Sequence, residues 1–219
     1  MVTCFSRWRL TLGPTGSNLV TCGPFRLKPP PVTVCDAIAH APRIPPLSEA
    51  EFRSVERKLG LTPIDTALNV MTTLARNPAL YKAWQRFAGT LFTSELDPRE
   101  RELVILRAAW RCQASYEWAQ HARIAAHVGL TDAEIRRIAA GPDDTDWAPA
   151  DALLLRAVDE LVDERQLSDT TYMALAKRYE PARLLLLTML AGHYVMLAGV
   201  LASAGVQPET EEMPRLGEP

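Results

Sequence analysis

The chain lacks the cysteine pattern of a disulfide-bonded, secreted protein. Four of its 219 residues are cysteine: Cys4, Cys22 and Cys35 stand near the start of the sequence, and Cys112 stands alone in its middle. These spacings match neither a disulfide framework nor a zinc motif. They favour a reducing compartment, so we expect a cytoplasmic protein.

The chain also lacks an excess of charge of either sign. Lysine and arginine number 24 against 26 aspartate and glutamate residues, which gives a net charge of −2. Proteins that bind nucleic acid or an anionic membrane surface usually carry a basic excess. We therefore expect neither kind of partner. Hydrophobic residues make up 47% of the chain, which is typical of a globular domain.

Segments of alternating polar and apolar residues, the pattern of β-strands, are missing too. Helical periodicity dominates instead, with N-cap residues, prolines at first helical positions and glycines at helix ends. The sequence therefore predicts an all-α domain of eight or nine helices. We expect them at about 48–60, 64–75, 77–92, 97–110, 114–128, 131–140, 146–164, 168–179 and 181–204.

The two ends of the sequence differ from its middle. In residues 1–42, Gly, Pro, Ser and Thr interrupt every apolar run before it reaches the length of a helix or of a signal-peptide core. We predict that this segment is a disordered extension or results from a start codon assigned too far upstream. Residues 43–208 form the predicted helical domain, and residues 209–219 are predicted to be a flexible tail.

The last predicted helix is unusually apolar. Residues 184–206 include no Asp, Glu, Lys or Arg, and a helix of that length could span a bilayer. However, His193 and Tyr194 lie at its centre, where a lipid-facing polar group is costly. The glycines in this stretch also permit close packing by neighbouring helices. We therefore expect a buried core helix and no membrane association.

Ionisable side chains fall on the apolar faces of two consecutive predicted helices. On a helical wheel, Glu102 lies on the apolar side of its helix, and Glu117 and His121 lie on the apolar side of the next one. The solvent-facing side of the first helix is predicted to carry Glu100, Arg107 and Arg111. Because an unpaired charge is costly in apolar surroundings, we expect Glu102, Glu117 and His121 to converge in one buried site.

Such a site could perform proton transfer. Glu117 and His121 are four residues apart, so they can pair on their own helix. Two carboxyls and an imidazole that share a proton can have pKa values near neutrality, which general acid-base catalysis requires. Two alternatives stay open. The carboxyls could pair structurally with arginines, or the three groups could bind a metal, although Glu-x-x-x-His differs from the Glu-x-x-His of helical di-iron sites.

The stretch RERELVILRAAWRCQASYEWAQHARIAAHVGLTDAEI resembles the carboxymuconolactone decarboxylase-like family. The superfamily of that family includes the alkyl-hydroperoxidase D-type thiol peroxidases. The flanking segments RIPPLSEAEF, DALLLRAVDEL and GHYVMLAGVLASAGV are similar as well, so the likeness covers roughly residues 43–208. Its most specific part is Glu102 with YEWAQH at 116–121. The resemblance implies helices wrapped around a site and assembly into trimers, hexamers or other homo-oligomers.

The chain departs from the peroxidase branch of this superfamily at the thiols. That branch has a Glu, then Cys-x-x-Cys, then a His four residues after the second Cys. The resemblance places the two cysteines at Ala114 and Glu117, and Cys112 lies two residues too early. A disulfide-cycling peroxidase needs a thiolate nucleophile and a resolving thiol. Alkyl-hydroperoxidase-like, peroxiredoxin-type antioxidant activity is therefore the disfavoured alternative.

The form Tyr-Glu-Trp-x-x-His is closer to the decarboxylase branch. That branch implies a lyase in aromatic-compound catabolism, which removes CO2 from a small lactone carboxylate without a cofactor or metal. Our hypothesis makes His121 the general acid/base, Glu117 the group that orients it, and Glu102 a second proton carrier or positioning group. An anionic substrate also favours a cation nearby, for which the candidates are Arg99, Arg107 and Arg123. A non-enzymatic helical homo-oligomer that binds a small ligand is a further alternative.

Overall fold

The computed structural model describes residues 41–93, 95–210 and 212–219, and this part of the chain is all-α. Its nine helices confirm the predicted fold class. They are α1 (Glu49–Leu59), α2 (Asn69–Leu74), α3 (Pro78–Phe92), α4 (Pro98–Arg111), α5 (Ser115–His127), α6 (Asp132–Ala140), α7 (Pro149–Asp163), α8 (Asp169–Ala176) and α9 (Pro181–Ala204). Residues 1–40, which hold almost all of the predicted disordered extension, lie outside the described residues.

Helix starts follow the capping residues in the sequence. Ser48 and Thr131 each accept a hydrogen bond from the backbone three residues later, and a glutamate at that position bonds back, so both form capping boxes. Asn77 and Asp97 cap α3 and α4, each directly before a proline. Because these caps satisfy otherwise unpaired N–H groups, the four starts agree with the sequence.

Two helix starts differ from the expectation. α2 was expected from Ile64 but begins at Asn69, because the backbone N–H of Ile64 donates to the Glu56 carboxyl 3.3 Å away instead of entering a helix. α7 was expected from Asp146 but begins at Pro149, whose fixed φ suits the first helical position. In both cases the chain forms a loop before the helix.

Helix α4 is the central element of the domain and packs against α5, α6, α7 and α9. Arg107, which was expected on its solvent-facing side, is buried. Its guanidinium donates to both oxygens of Asp159 on α7, at 2.7 and 2.8 Å, and to the Ile138 carbonyl at 2.6 Å. The expectation for Arg107 was therefore wrong, since α7 covers that face and its carboxylate satisfies the charge.

Helix α9 is apolar on all sides, and half of its most apolar stretch is buried. Among the described residues it is the one helix whose length and composition would allow it to cross a membrane. Its buried side packs against α4 and α7, as expected of a core helix. Its opposite side is exposed and carries Leu185, Met189, Met196 and Val200.

Parts of residues 209–219 contact the helical domain. The Trp118 indole N–H donates to the Glu218 carbonyl at 2.6 Å, and the Tyr116 hydroxyl donates to the Glu209 carboxyl at 2.8 Å. Met213 is buried. The predicted flexibility of this segment stays a prediction, and these contacts place it against α5.

Candidate functional site

The three ionisable residues singled out in the sequence are all buried. Glu102 on α4 has no exposed surface, and Glu117 and His121 on α5 are 2% and 7% exposed. The α4 and α5 helices pack against each other directly, because only three residues (112–114) connect them. The helical wheel therefore assigned all three side chains to the correct face.

Glu102, His121 and Tyr194 form a continuous hydrogen-bonded chain, called here the Glu-His-Tyr chain. His121 Nδ1 lies 2.6 Å from Glu102 Oε2, and its Nε2 lies 3.0 Å from the Tyr194 hydroxyl. Burial, with the nearby carboxyls of Glu102 and Glu117 as smaller causes, raises the pKa of Tyr194 well above its ordinary value. Since Nδ1–H donates to the carboxyl, Nε2 is free to accept from the Tyr194 O–H.

Arg101 fixes the carboxyl end of the Glu-His-Tyr chain. Its Nε donates to Glu102 Oε1 at 3.0 Å, and its Nη1 donates to the Phe92 carbonyl at 3.1 Å. The guanidinium also lies over the Phe92 ring, 5.0 Å from its centroid. Because both oxygens of Glu102 are bonded, its carboxyl is held in one orientation toward His121.

Glu117 does not orient His121, contrary to the expectation. Both of its carboxyl oxygens are buried and have no hydrogen-bond partner in the part of the chain that the structure describes. Glu102 takes that role from the neighbouring helix instead. Burial raises the pKa of the Glu117 carboxyl well above its ordinary value, so the neutral acid is favoured. The site thus holds two carboxyls in opposite environments, one paired with an imidazole and one unpaired.

An apolar cavity of about 310 Å³ adjoins this cluster, and residues of α2, α3, α5 and α9 line it. Glu117, His121 and Tyr194 line its wall, whereas Glu102 lies behind His121. Most other lining side chains are aliphatic or aromatic, and the lining includes no lysine or arginine. The volume suits a small ring compound, and polar groups are few, as in most small-molecule sites.

The three arginines considered for an anionic substrate lie elsewhere. Arg99 pairs with Asp151 at 3.0 Å and with Glu134, and Arg107 pairs with Asp159. Arg123 is on the exposed side of α5. None of the three lines the cavity, so a ligand there would be held by uncharged donors and by apolar contact.

Tyr194 and His193 on α9 are site residues to which the sequence reasoning gave no role. His193 is buried, and burial, with His121 as a smaller cause, lowers its pKa to about 4. The centroid of its ring lies 5.3 Å from the ring centroid of Phe87 and 5.3 Å from that of Tyr194, and both contacts are edge-to-face. The sequence did contain a signal for His193 and Tyr194, since they are adjacent polar residues in a stretch of 23 residues without Asp, Glu, Lys or Arg. Polar side chains buried in such a helix need hydrogen-bond partners nearby.

Thiol and metal chemistry have few candidate groups among the described residues. Cys112 is a free cysteine at the end of α4 that does not line the cavity. Burial, and secondarily the charge of Glu117, raises the pKa of its thiol, which lowers the thiolate fraction. Within the same part of the chain, no group of three or more His, Cys, Asp or Glu side chains is arranged to hold a metal ion.

A second concave region, of about 480 Å³, lies apart from this site beside α4 and α8. Its arginines are paired with carboxylates on the same surface, Arg178 with Glu100 at 3.0 Å and Arg183 with Glu95 at 3.6 Å. Both arginines of this region are therefore already matched by carboxylates.

Taken together, the geometry defines an all-α protein with a buried Glu-His-Tyr chain at an apolar cavity. Residues 78–160 match the sequence model described as the carboxymuconolactone decarboxylase family. The match covers 83 of the 219 residues, so this part of the chain is similar to that family. No curated protein matches the chain in sequence.

Solved structures share the fold at low sequence identity. A cysteine-to-alanine variant of the debrominase Bmp8, in complex with 2,3,4-tribromopyrrole, superposes with a TM-score of 0.61 at 16% identity, covering 76% of this chain and 91% of its own. An alkylhydroperoxidase AhpD core protein from Ralstonia eutropha JMP134 gives 0.60 at 17% identity, covering 74% and 85%. A peroxidase-related protein from Silicibacter sp. TM1040 gives 0.61 at 16%, covering 84% and 95%.

Proposed function

We propose that the chain is a cofactor-free acid/base lyase that decarboxylates a small lactone carboxylate, as the decarboxylase branch of the carboxymuconolactone decarboxylase-like family does. The observation that carries this proposal is the Glu-His-Tyr chain, which ends at an apolar cavity beside the unpaired carboxyl of Glu117. A base-linked hydroxyl and a neutral acid on one small cavity can move protons to and from carbon.

The proposed reaction needs one proton for each molecule of CO2. The bond between the ring carbon and the carboxylate breaks, and its electron pair passes through the conjugated system to the lactone carbonyl oxygen. The neutral acid Glu117 then gives its proton to carbon, and the double bond moves. The Glu117 carboxylate then regains a proton that comes from water and is relayed through His121, which Glu102 orients, and the Tyr194 hydroxyl.

The apolar wall of the cavity favours this chemistry. A carboxylate that loses its hydration is destabilised relative to the charge-delocalised transition state. Because no lysine or arginine lines the cavity, the carboxylate would not be stabilised by an ion pair. The ring of the substrate would pack against the aliphatic and aromatic side chains, which supply the binding energy.

The thiol-peroxidase alternative has less support. Two of the similar structures carry peroxidase names, but Cys112 lies away from the cavity and its thiol pKa is raised. Replacing Cys112 with Ser decides this alternative, because peroxide turnover that survives the change cannot use a thiol among the described residues. Non-enzymatic binding of a small ligand is the remaining candidate, and the apolar cavity alone would suffice for it.

The test of the lyase is turnover of 4-carboxymuconolactone, followed by the loss of its absorbance. Glu117→Gln and His121→Gln should each lower the rate at least about 100-fold, the contribution typical of general acid-base catalysis. His127→Gln is the matched control, because that histidine lies on the exposed side of the same helix. Full turnover in both folded site variants would refute the assignment. Absence of turnover in the wild type would favour ligand binding alone.

A further inference from the structure

Two residues of the cavity wall each have a buried nitrogen without a hydrogen-bond partner among the described residues. The nitrogens are Nε1 of Trp84 on α3 and Nδ1 of His193 on α9. The two rings face each other, with centroids 6.4 Å apart and planes 24° apart. Both residues line the cavity. Two neighbouring residues of the mostly apolar cavity wall thus each carry a nitrogen whose hydrogen-bonding capacity the described residues leave unused.

Leaving these nitrogens unpaired costs free energy in the folded protein, since each loses its bond to water on folding. Neighbouring side chains do not relieve that cost, because the rings around His193 are aromatic: Trp84, Phe87 and Tyr194. A partner for either nitrogen has to come from whatever occupies the cavity. The unpaired atoms thus point to a ligand.

The chemistry of the pair selects the ligand atom. An indole N–H only donates, so Trp84 requires an acceptor. His193 is held neutral by burial, with its pKa near 4, so its Nδ1 can carry one hydrogen to donate. Two uncharged donors on a dry wall suit an oxygen on which negative charge grows during a reaction, since they need no reorganisation as the charge appears.

We propose that Trp84 Nε1–H and His193 Nδ1–H together bind the ring carbonyl oxygen of the substrate and stabilise the enolate that forms there when CO2 leaves. This inference rests on the proposed function for the enolate, but the binding of a carbonyl oxygen does not depend on turnover. Trp84 and His193 would thus contact the carbonyl oxygen of the substrate, whereas Glu117 and Tyr194 would transfer protons.

The test uses an unreactive probe, the five-membered ketone cyclopentanone, with methylenecyclopentane as the ring that lacks an oxygen. The infrared C=O stretch of the bound ketone should lie at or below its value in water, because two donors contact it. In Trp84→Phe and His193→Leu the stretch should rise toward its value in hexane. Affinity for the ketone should fall about five- to tenfold per donor removed, while affinity for the hydrocarbon stays unchanged.

Matched variants separate the donor from the shape of the side chain. His193→Asn keeps a donor near the Nδ1 position and should restore the low stretch. Trp110→Phe should change nothing, because Trp110 does not line the cavity. The wild-type infrared measurement needs no variant, so it decides the matter even if a substitution prevents folding.

Three results would overturn the inference. The first is a C=O stretch in the wild type that equals the value in hexane. The second is ketone affinity that is absent, or that is unchanged in Trp84→Phe and His193→Leu. The third is tighter binding of cyclopentanecarboxylate than of the ketone that is lost in the same two variants. The last result would assign the donors to the carboxylate instead. Loss of the proposed lyase activity would leave these ketone measurements unaffected. Conversely, Trp84→Phe and His193→Leu with wild-type kcat would remove the enolate role and leave the lyase intact.

Discussion

Two carboxyls of the same residue type acquire opposite properties in this site because their surroundings differ. Glu102 meets a guanidinium on one oxygen and an imidazole on the other. Glu117 meets neither, and its oxygens are enclosed without a partner among the described residues. Desolvation without compensation favours the neutral form, so Glu117 is the group that gains a proton on folding.

This difference predicts how stability depends on pH. The pKa of Glu117 is raised in the folded state from its ordinary value of 4.5, so the folded protein binds more protons above that pH than the unfolded chain does. Its contribution to stability is complete below about pH 4.5 and is lost as pH rises through the folded pKa. We expect Glu117→Gln to flatten this decline in urea unfolding measured from pH 5 to 8.

The control for that experiment is Glu49→Gln, since Glu49 lies on the surface with its side chain 84% exposed. Its substitution should leave the pH profile as in the wild type. If the free energy of unfolding fell equally with rising pH in the wild type and in Glu117→Gln, Glu117 would not be the neutral acid.

His193 has the opposite dependence. Its pKa falls from 6.5 in the unfolded chain to about 4 in the folded protein, so between these values the unfolded chain binds the extra proton. The contribution is complete above pH 6.5 and is lost as pH falls toward 4. We expect His193→Asn to reduce the acid-side loss of stability, measured by urea unfolding from pH 4 to 7. His127→Gln, on the exposed side of α5, should leave it unchanged.

For individual residues, the sequence predicted the burial of the three candidate site residues but not that of Arg107, and it did not predict how the side chains pair. Periodicity gives the face of a helix, and that was enough to bury Glu102, Glu117 and His121. The choice of partner depends on side-chain direction and on the distance between helices, which periodicity does not contain. The i, i+4 rule therefore suggested Glu117 as the partner of His121, whereas Glu102 from the preceding helix forms the hydrogen bond.

Among the helices, α4 and α7 are joined by ion pairs, of which the one between Arg107 and Asp159 is the most buried on its arginine side. Arg107 and Asp159 form a bidentate ion pair, and Arg107 also donates a hydrogen bond to the carbonyl of Ile138 in the last turn of α6. Its Nη2 would lie 2.9 Å from a Cβ at Gly141, where the backbone has a φ of +97°. Glycine is thus favoured at 141 by conformation and by space.

Removing this cation should be costly. Arg107→Leu leaves the carbonyl of Ile138 without its side-chain donor and leaves Asp159 with Arg111 as its remaining partner, so we expect about 1–3 kcal/mol lower stability in chemical unfolding. Arg156→Leu is the surface control, because its pair with Asp143 is exposed, and it should cost less than about 1 kcal/mol. Similar losses in both variants would show that burial does not distinguish the pairs.

Helix starts were predictable where a capping side chain marks them, as at Ser48 and Thr131. They were not where the loop makes long-range contacts. The segment before α2 bonds to the Glu56 carboxyl, and the first residue of α2, Asn69, donates to Glu209. Such contacts join residues far apart in sequence, so a local pattern cannot reveal them.

For the molecule as a whole, the exposed side of α9 is an apolar surface that the described domain does not cover. Leu185, Met189 and Met196 follow heptad-like spacing there, with Gly192 between the two methionines. A Cβ at Gly192 would meet nothing within 4 Å, so this glycine, which weakens a helix, serves no close contact inside the chain. A second copy of the chain packed on this side would explain it.

We therefore expect a homo-oligomer, measurable as mass by light scattering after gel filtration. Met189→Glu should shift the protein to a smaller species, because a charge would be buried between copies. Met173→Glu on α8, also exposed, is the control and should not. A monomeric wild type would contradict the expectation.

The hydrogen bond between Trp118 and Glu218 joins the segment after α9 to the helix that carries the site. Trp118 is fully buried beside Glu117 on α5, and its indole N–H donates to the carbonyl of Glu218. Displacing that carbonyl would leave the N–H unpaired inside the core, at a cost of about 1–3 kcal/mol. A change in a segment that supplies no side chain to the cavity would thus act on the helix that carries Glu117 and His121.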